Sequence, residues 1–407
     1  MRLMGHGCQV VALCPRGHML RHVRGIEAFY PYSGLDSLGS FESALKDAKP
    51  DLVVPCDDRV VWQLHELYEL HPQLRPLIEA SLGAASGYGI VRSREQLLEM
   101  AQTLSIRVPE TCRVTSEKDV SAWFSGKSSS AVLKLDGTWG GEGVEIARSE
   151  EQAIHALRRL TQTSGIAAAL KRLLVNRDPL SLWAWRRRTA PVVTVQQFIV
   201  GRPANAMLAC WQGELLGIVS VEVLSSQGAT GAANIVRFLD NEEISQAARL
   251  LASRLCLTGF YGLDFMLESA TGFAWLIEMN PRCTQLGHLS RPQQGDLAGL
   301  LYAKLTGQMN LQPQFPIEKD TVAFFPQAID WNPRSDHLRS GYHDVPWEQP
   351  QLVRELLQKL WPERQWIARL YHSFRPPRKV SAAEFEIANS VVETNERLGS
   401  ETATRIR

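Results

Sequence analysis

The stretch "WLIEMNPR", residues 275 to 282, ends an apolar run with a glutamate, an asparagine and an arginine at alternate positions. Side chains on a β-strand alternate between its two faces. Glu278, Asn280 and Arg282 therefore point one way, while Ile277 and Met279 point the other way, into a core. One face of the predicted strand carries polar groups that could do chemistry.

The preceding stretch, "FYGLDFMLE" (260 to 268), predicts a partner strand with Asp264 on its polar face, and "SATG" between the two is typical of a turn. If Asp264 pairs with Glu278, the two carboxylates lie close together and raise at least one pKa unless a cation sits between them. Mg²⁺ takes one or two carboxylates together with phosphate oxygens, and an asparagine carbonyl is a natural further ligand. The hairpin therefore predicts Mg²⁺ and a phosphate. The alternative is an edge hairpin with a solvated polar face.

A second hairpin is predicted by "AVLKLDGTWGGEGVEIA", residues 131 to 147, in which a strand containing Lys134 runs into a glycine-rich loop. Glycines let backbone N–H groups approach phosphates, and the lysine supplies a positive charge. The spacing is neither the P-loop GxxxxGK[ST] nor the dinucleotide GxGxxG, both of which open a helix. The pattern favours a nucleotide site, with a merely flexible turn as the alternative. The loop glycines are Gly137, Gly140, Gly141 and Gly143.

A third stretch, residues 192 to 224, predicts strands broken by Gly201 and Gly213 and contains "QQFIVGR". Taken in chain order, these pieces resemble the ATP-grasp superfamily over roughly residues 93 to 310. Within it the chain is most similar to carboxylate–amine ligases and to the ATP-binding halves of carbamoyl-phosphate synthase and biotin carboxylase. The resemblance implies an α/β and α+β chain. We expect a Rossmann-like domain over 1–92, an ATP-grasp domain over 93–310 with a lid at about 116–190, and an extension with a mobile tail over 311–407.

The resemblance also implies roles for matching residues. Lys134 matches the lysine beside the β-phosphate of ATP, and Arg282 matches the arginine that steadies the transferred phosphoryl group. Arg94, in "RSREQLLEMA", falls where the family has a second phosphate-contacting lysine. The residues that match the ligands of Mg²⁺, or of Mn²⁺ in its place, are Asp264, Glu278 and Asn280.

Further matches concern the nucleotide. Gly140, Gly141 and Gly143 match the lid loop that closes over the phosphates. The residues that would present main-chain groups to the adenine edge are Gln196, Gln197, Phe198 and Ile199. Two departures stand out, because glutamines replace the usual pair of acids at 196 and 197, and Pro203 replaces an acid that contacts the ribose. Asn205, two residues on and on the same strand face, is the expected substitute.

The function implied by the resemblance is an ATP-dependent ligase. It would activate a carboxylate as an acyl phosphate, join it to an amine, and release ADP and phosphate. The alternatives are a bicarbonate-activating carboxylase or carbamoyl-phosphate-type subunit, and an ATP-binding protein without turnover. The expected partners are small-molecule carboxylates and amines, and a second copy of the chain in a homodimer. Two arginines, Arg237 and Arg291, are candidates to clamp the carboxylate of the acceptor.

Composition limits the other classes. The 407 residues are 44% hydrophobic, enough for two or three domains, and 44 basic against 43 acidic residues give a net charge of +1. That balance predicts no nucleic-acid partner and no anionic membrane surface. No apolar run reaches about 18 residues, so we expect no membrane span and a cytoplasmic location. The seven cysteines show no CxxC spacing. Cys283 beside the metal strand is either a small buried residue or a catalytic thiol.

The first residues and two other segments raise separate expectations. "MRLMGHGCQVVALC" predicts the end of a helix near Gly7 and a strand over 9–13, and "DLVVP" (51 to 55) predicts another buried strand. Because the expected first strand and glycine-rich turn are missing, we expect the coding sequence to extend upstream by about 15 to 25 residues. The arginine- and tryptophan-rich segment 169–190 either binds a membrane surface or partner, or packs on its own domain. The region from 352 to 371 has helical periodicity.

Overall fold

The computed structural model of the chain describes residues 1–126, 130–136, 143–161, 192–292, 296–308 and 316–358. Within these ranges no helix has the length and apolar character that crossing a membrane requires. Most of the predicted glycine-rich lid loop (137–142), the basic segment 169–190 and residues 359–407 lie outside the described residues.

Helices occupy both ends of the described chain and cover both larger sheets. Three short 3-10 segments accompany them, at Met19–His22, Pro72–Leu74 and Ala85–Gly87. The α-helices of the described part are α1 Arg2–Gly5, α2 Ser37–Ala48, α3 Asp58–Leu70, α4 Arg75–Leu82, α5 Tyr88–Arg92, α6 Arg94–Thr103, α7 Glu117–Ser125, α8 Glu150–Thr161, α9 Glu242–Leu255, α10 Leu297–Thr306, α11 Gln327–Trp331, α12 His337–Ser340 and α13 Pro350–Leu356.

Within the described residues the strands form three sheets. Their orders are β1-β2, β3-β6-β4-β5 and β11-β10-β7-β8-β9-β12-β13, with the β1-β2 and β12-β13 pairs parallel and the rest antiparallel. The strands are β1 Val11–Cys14, β2 Ala28–Pro31, β3 Thr111–Val114, β4 Ala131–Leu135, β5 Val144–Ala147, β6 Val193–Gln197, β7 Gly201–Trp211, β8 Glu214–Ser226, β9 Ala233–Phe238, β10 Gly259–Glu268, β11 Ala274–Asn280, β12 Thr321–Phe324 and β13 Tyr342–Asp344.

The largest sheet has a core on each face. On one face α6 and α9 bury Leu97 and Leu251 against Leu208 and Leu263 of the sheet. On the other face Met207 and its neighbours pack against α10 and the chain after β11. Alternation along β7 and β10 therefore sends Leu208 and Leu263 into the helical core, and Asn205 and Asp264 to the opposite side.

The four-stranded sheet has one covered face. Val120 of α7 and Leu157 of α8 pack against Leu133 and Val195 of the sheet in a single apolar cluster. Since neighbouring residues on a strand face opposite ways, Lys134 points away from that cluster. It points into the space between the two larger sheets, where its charge interacts with Asp264.

Both predicted hairpins are present. β4 and β5 pair antiparallel, and β10 pairs with β11 so that Asp264 lies opposite Glu278. One detail differs from the prediction, because the register shifts between Asp264 and Phe265. As a result Leu276 and Met279 are buried in the helical core, while Ile277 is only half-buried.

The N-terminal segment, residues 1–92, differs from the prediction at one strand. The helix and the first strand are present as α1 and β1, and β1 pairs with β2. Residues 51–55, however, form no strand. Their main-chain groups find other partners, because Val53 N–H donates to Ser81 Oγ at 2.9 Å and Pro55 carbonyl accepts from Cys283 N–H at 2.9 Å. An apolar run without a neighbouring strand is thus satisfied by a hydroxyl and a loop.

Candidate active site

The polar residues predicted from the two hairpins meet between the two larger sheets. We call this place the charged cleft, and its members from β4, α6, β10 and the end of β11 are Lys134, Arg94, Asp264, Glu278, Asn280 and Arg282. Two groups of direct contacts are present: Arg94 pairs with Glu278, and Asn280 hydrogen-bonds to both Asp264 and Arg282. The buried ammonium of Lys134 interacts through its charge with Glu278, Arg94 and Asp264.

Asp264 is held by two amides. Asn205 Nδ2 donates to one carboxylate oxygen at 2.5 Å, and Asn280 Nδ2 donates to the other at 2.9 Å. Burial raises the pKa of Asp264, and the facing charge of Glu278 raises it further. The pair of acids therefore has the mutual repulsion that a bound cation would relieve. Asn205, the expected substitute for the ribose-contacting acid, thus hydrogen-bonds to this carboxylate.

Glu278 keeps its charge through the surrounding cations. Burial alone would raise its pKa, but Arg94 and Lys134 outweigh burial and lower the pKa below its usual value. Arg94 Nη2 donates to Glu278 Oε1 at 2.7 Å. The same guanidinium donates from Nη1 to Asp136, at the end of β4, so Arg94 ties the two sheets together.

Arg94 sits where a positive charge does not help its helix. It is the first residue of α6, after the N-cap Ser93, and helix N-termini favour negative charge. Its side chain is only 8% exposed. Its Nε–H is buried and has no hydrogen-bond partner in the described part of the chain. A buried donor without a partner is costly, so the Nε–H requires an acceptor from outside the described part of the chain.

Lys134 is the most deeply buried cation of the cleft at 5% exposure. Burial lowers the pKa of Lys134 to about 8, although Glu278 and Asp264 act in the opposite direction. The lysine is therefore mostly protonated at neutral pH, but the neighbouring acids do not fully offset the cost of burying its charge. An anionic ligand would offset the remainder.

Arg282 is held by the N-terminal segment. Its Nε donates to Asp58 Oδ2 at 2.8 Å, and its Nη2 donates to Asn280 Oδ1 at 3.4 Å. Asp58 is the first residue of α3, where a negative charge is favoured. Burial raises the pKa of Asp58, although Arg282 opposes the shift. The segment before residue 93 thus fixes the arginine at the end of the metal strand.

The side chains of the cleft can bind a hard cation such as Mg²⁺ only if a ligand or water supplies further oxygen atoms. In the ranges described, no three His, Cys, Asp or Glu side chains are grouped to hold a metal ion. The cleft offers two carboxylates, Asp264 and Glu278, and the amide oxygen of Asn280. Mg²⁺ accepts such a set when phosphate oxygens and water complete its shell.

The predicted adenine-binding segment, residues 196–199, lies at the end of the four-stranded sheet opposite to Lys134. Gln197 N–H donates to Glu110 carbonyl at 2.8 Å, and the buried Gln196 donates from Nε2 to Thr111 Oγ1 at 3.0 Å. β6 ends at Gln197, so Phe198 and Ile199 follow the last pair of the ladder. Of the three lid glycines, Gly143 is described: it has a φ of +75° and its carbonyl accepts from Leu135 N–H at 2.8 Å.

The two arginines suggested to bind the acceptor carboxylate already form ion pairs with acids of the protein. Arg237 donates to Glu222 at 2.5 Å, and Arg291 lies 3.1 Å from Asp320. Both arginines are thus held by acids of the protein, although Glu222 is shared between Arg237 and Arg202. Burial raises the pKa of the Cys283 thiol to about 12, which favours a small buried residue over a catalytic thiol.

Two acids of the site were missed by the sequence analysis. Asp136 had a signal, because it follows Lys134 by two residues and so shares its strand face. Asp58 had none, since its partner Arg282 is 224 residues away. In the sequence Asp58 resembles an ordinary acid at a helix start.

Neither a family model nor a curated protein matches this sequence. Solved structures do match it. N5-carboxyaminoimidazole synthase from Aspergillus clavatus, in complex with ADP and 5-aminoimidazole ribonucleotide, superposes with a TM-score of 0.55 at 12% identity, covering 78% of this chain and 77% of that chain.

Two further structures agree. The biotin carboxylase domain of Hydrogenobacter thermophilus 2-oxoglutarate carboxylase, with MgADP, ADP and bicarbonate, gives a TM-score of 0.54 at 13% identity over 77% of this chain and 67% of that chain. The L-amino acid ligase from Bacillus licheniformis gives 0.50 at 13% identity over 74% and 69%. The chain has the ATP-grasp fold. The fold expected from the hairpins is thereby confirmed.

Proposed function

We propose that this chain is an ATP-dependent ligase that activates a carboxylate as an acyl phosphate and joins it to an amine, releasing ADP and phosphate. One observation carries the proposal. Three cations, two carboxylates and an amide from both larger sheets converge in one cleft, with more charge than a structural core needs. The substrates are a small carboxylate and a small amine.

The nucleotide lies along β6 in this proposal. Thr194 of β6 pairs with Lys134, and the strand ends three residues later. A nucleotide with its base at the main chain of Phe198 and Ile199 then has its phosphates at Lys134. Gln196 and Gln197 contribute through main-chain groups, which tolerate the replacement of the usual acids. Gly140, Gly141 and Gly143 belong to the loop that closes over the phosphates.

The cations of the cleft bind the phosphates. Lys134 gains the anionic partner that its lowered pKa calls for, and the unpartnered Nε–H of Arg94 gains a phosphate oxygen. Arg282, held by Asp58, faces the group that is transferred. Preorganised cations of this kind stabilise the negative charge that develops during phosphoryl transfer, with little rearrangement at the moment of reaction.

Asp264, Glu278 and Asn280 would hold Mg²⁺, or Mn²⁺ in its place. The fit rests on two facing acids, Asp264 and Glu278, and on the neighbouring amide of Asn280, whose Nδ2 donates to Asp264 while its Oδ1 accepts from Arg282. When bound, the ion offsets charge on the β- and γ-phosphates. Asn205 donates to Asp264 and so holds this ligand in position.

The reaction balances as follows. A carboxylate oxygen attacks the γ-phosphorus, the bond from that phosphorus to the bridging oxygen breaks, and ADP leaves. The amine nitrogen then attacks the acyl carbon, a C–N bond forms, and the C–O bond to phosphate breaks. The phosphate leaves with the former carboxylate oxygen, and the proton lost by the amine passes to solvent. Closure of the lid excludes water that would hydrolyse the acyl phosphate.

Bicarbonate is the second candidate for the activated carboxylate. It is favoured because one similar structure contains bicarbonate and another is an N5-carboxyaminoimidazole synthase. The same residues would serve, with carboxyphosphate as the intermediate. The cleft chemistry is common to both candidates.

The test is a coupled assay of ADP and phosphate release with Mg²⁺, ATP and pairs of carboxylates and amines. Parallel reactions contain bicarbonate in place of the carboxylate, or no acceptor. The proposal predicts release that depends on a carboxylate and rises with an amine. Release stimulated by bicarbonate alone selects the second candidate. Formation of AMP and pyrophosphate, or nucleotide binding without any release, would overturn the proposal.

A further inference from the structure

A pocket opens beside the charged cleft, between the N-terminal segment and the metal strand. Its wall includes Asp58 and Trp62 of α3, Arg92 and Arg94 on either side of Ser93, Asp136, and Glu278. Four of these residues, Asp58, Arg94, Asp136 and Glu278, already belong to the network around the cleft, so the pocket borders the phosphate-binding groups. The other two, Trp62 and Arg92, have no role in the chemistry described so far.

Arg92 differs from the other arginines of this region. It is exposed, at the end of α5, and no carboxylate within the described ranges lies at ion-pair distance from it. Arg94 and Arg282, by contrast, are both engaged by acids. The guanidinium carbon of Arg92 lies 6.0 Å from the ring centroid of Trp62, a cation–π distance that keeps it at the pocket wall. Its hydrogen-bond donors remain available at the mouth.

The inner wall of the pocket has the opposite charge. Asp58, Asp136 and Glu278 are each at least half-buried and pair with the guanidinium groups of Arg94 and Arg282. With the buried Lys134 and Asp264 behind them, the cluster holds four carboxylates and three cations. One negative charge is therefore in excess on the inner wall, while the exposed Arg92 is in excess at the mouth. Opposite charges at two ends of a small pocket match a zwitterion.

We propose that this pocket binds the amine substrate, that this substrate is an amino acid, and that Arg92 binds its carboxylate. The amino group then points toward the inner acids, which border the place of the acyl phosphate, and the side chain lies near Trp62. The inference rests on the proposed function and adds the class of the nucleophile.

The experiment measures binding of each of the twenty protein amino acids to the full chain by calorimetry, with Mg²⁺ and a non-hydrolysable ATP analogue present. The best binder is then compared with its amide, which lacks the carboxylate charge. We expect Arg92→Gln to weaken amino-acid binding by about tenfold or more, and Arg92→Lys to weaken it less, because the charge remains but the bidentate geometry is lost. The amide should bind weakly to wild type and be insensitive to Arg92→Gln.

The matched control is Arg75→Gln. Arg75 also stacks on an aromatic ring of the N-terminal segment, with its guanidinium carbon 5.2 Å from the Tyr68 centroid, but it does not line the pocket. Its substitution should leave amino-acid binding unchanged. Binding of the nucleotide analogue to every variant verifies that the cleft is folded.

Three results would overturn the inference: no amino acid binds wild type, Arg92→Gln binds as well as wild type, or the amide binds as well as the acid. The proposed function is tested separately by turnover. The expected binding pattern without any ADP release would contradict the proposed ligase activity but support the amino-acid pocket. ADP release that depends on an amine, with an amine KM unaffected by Arg92→Gln, would support the ligase activity but contradict the pocket.

Discussion

The core of the N-terminal segment and the charged cleft are both buried, but they treat polar groups in opposite ways. In the core His65 lies among residues such as Leu64 and Ile78, and stacks on Tyr88 with ring centroids 4.0 Å apart. Burial lowers the pKa of His65 to about 3, so the ring stays neutral. In the cleft, by contrast, Lys134 and Glu278 keep their charges.

Burying a charge costs free energy that ion pairs only partly return, and well-packed apolar residues often do as well or better. A core selected for stability therefore neutralises what it buries, as His65 illustrates. In the function proposed for this chain, the cleft retains several buried charges because the phosphates of ATP and a metal ion need them. The two regions should accordingly respond to substitution in different measurements, the core in the free energy of unfolding and the cleft in turnover.

The largest expected effect is on the core. Ile78→Ala removes a side chain that is 0% exposed. We expect the free energy of unfolding to fall by about 3 to 4 kcal/mol, because transfer energy is lost and a cavity remains. Urea denaturation measures it. The turnover of the folded fraction should stay the same, and a fall in kcat of the folded fraction would show that core and cleft are not separable.

The next effect is on the metal ligands. Glu278→Gln and Asn280→Ala should each lower turnover by at least about 100-fold, which corresponds to about 2.7 kcal/mol. The melting temperature should fall as well, because Glu278→Gln takes the charged partner from the buried Arg94 and Asn280→Ala takes a hydrogen bond from the buried Asp264. Turnover is therefore compared per folded molecule, well below the melting temperature. Wild-type activity in either variant would return the hairpin to a solvated polar face with no chemistry.

Lys134→Met tests, at a single residue, whether a buried charge of the cleft contributes to turnover and not to stability. We expect kcat/KM for ATP to fall by about 50-fold, or about 2.3 kcal/mol, through loss of a phosphate contact. Stability should stay constant or rise, because methionine fills a similar volume without a buried charge. Calorimetric melting and initial-rate kinetics on the same preparation decide it. Marked destabilisation with unaltered kinetics would assign Lys134 to the fold instead of the site.

The smallest effect is the pH dependence of the core. Between pH 6.5 and about 3 the unfolded chain protonates His65 and the folded chain does not, so this residue makes folding less favourable as pH falls. Stability should therefore drop by about 2 kcal/mol more in wild type than in His65→Phe between pH 7 and pH 5. Denaturation curves at both pH values measure the difference. Parallel losses in the two proteins would mean that His65 is not held neutral.

The sequence predicted the parts of the site that depend on local alternation. Asp264 faces Glu278 because the two flank a short turn on pleated strands, and Lys134 shares a strand with its core neighbour Leu133. Asp136 was within reach of the same rule. Such features depend on a few adjacent residues, which is why pattern alone finds them.

Features that depend on distant parts of the chain were not predictable in this way. The contact between Asp58 and Arg282 joins residues 224 positions apart. The strand expected at 51–55 failed for a related reason, because an apolar run becomes a strand only where a neighbour completes its hydrogen bonds. The shift at Ile277 likewise results from the pairing of β10 with β11, which the composition of either strand does not reveal.

The measurement that tests the central claim most directly follows oxygen. The carboxylate substrate is labelled with ¹⁸O and incubated with the enzyme, ATP, Mg²⁺ and the amine, and the released phosphate is analysed by mass spectrometry. If the cleft makes an acyl phosphate, one labelled oxygen must appear in each phosphate formed, because the C–O bond of the former carboxylate breaks. Unlabelled phosphate, or label carried by AMP, would contradict the account.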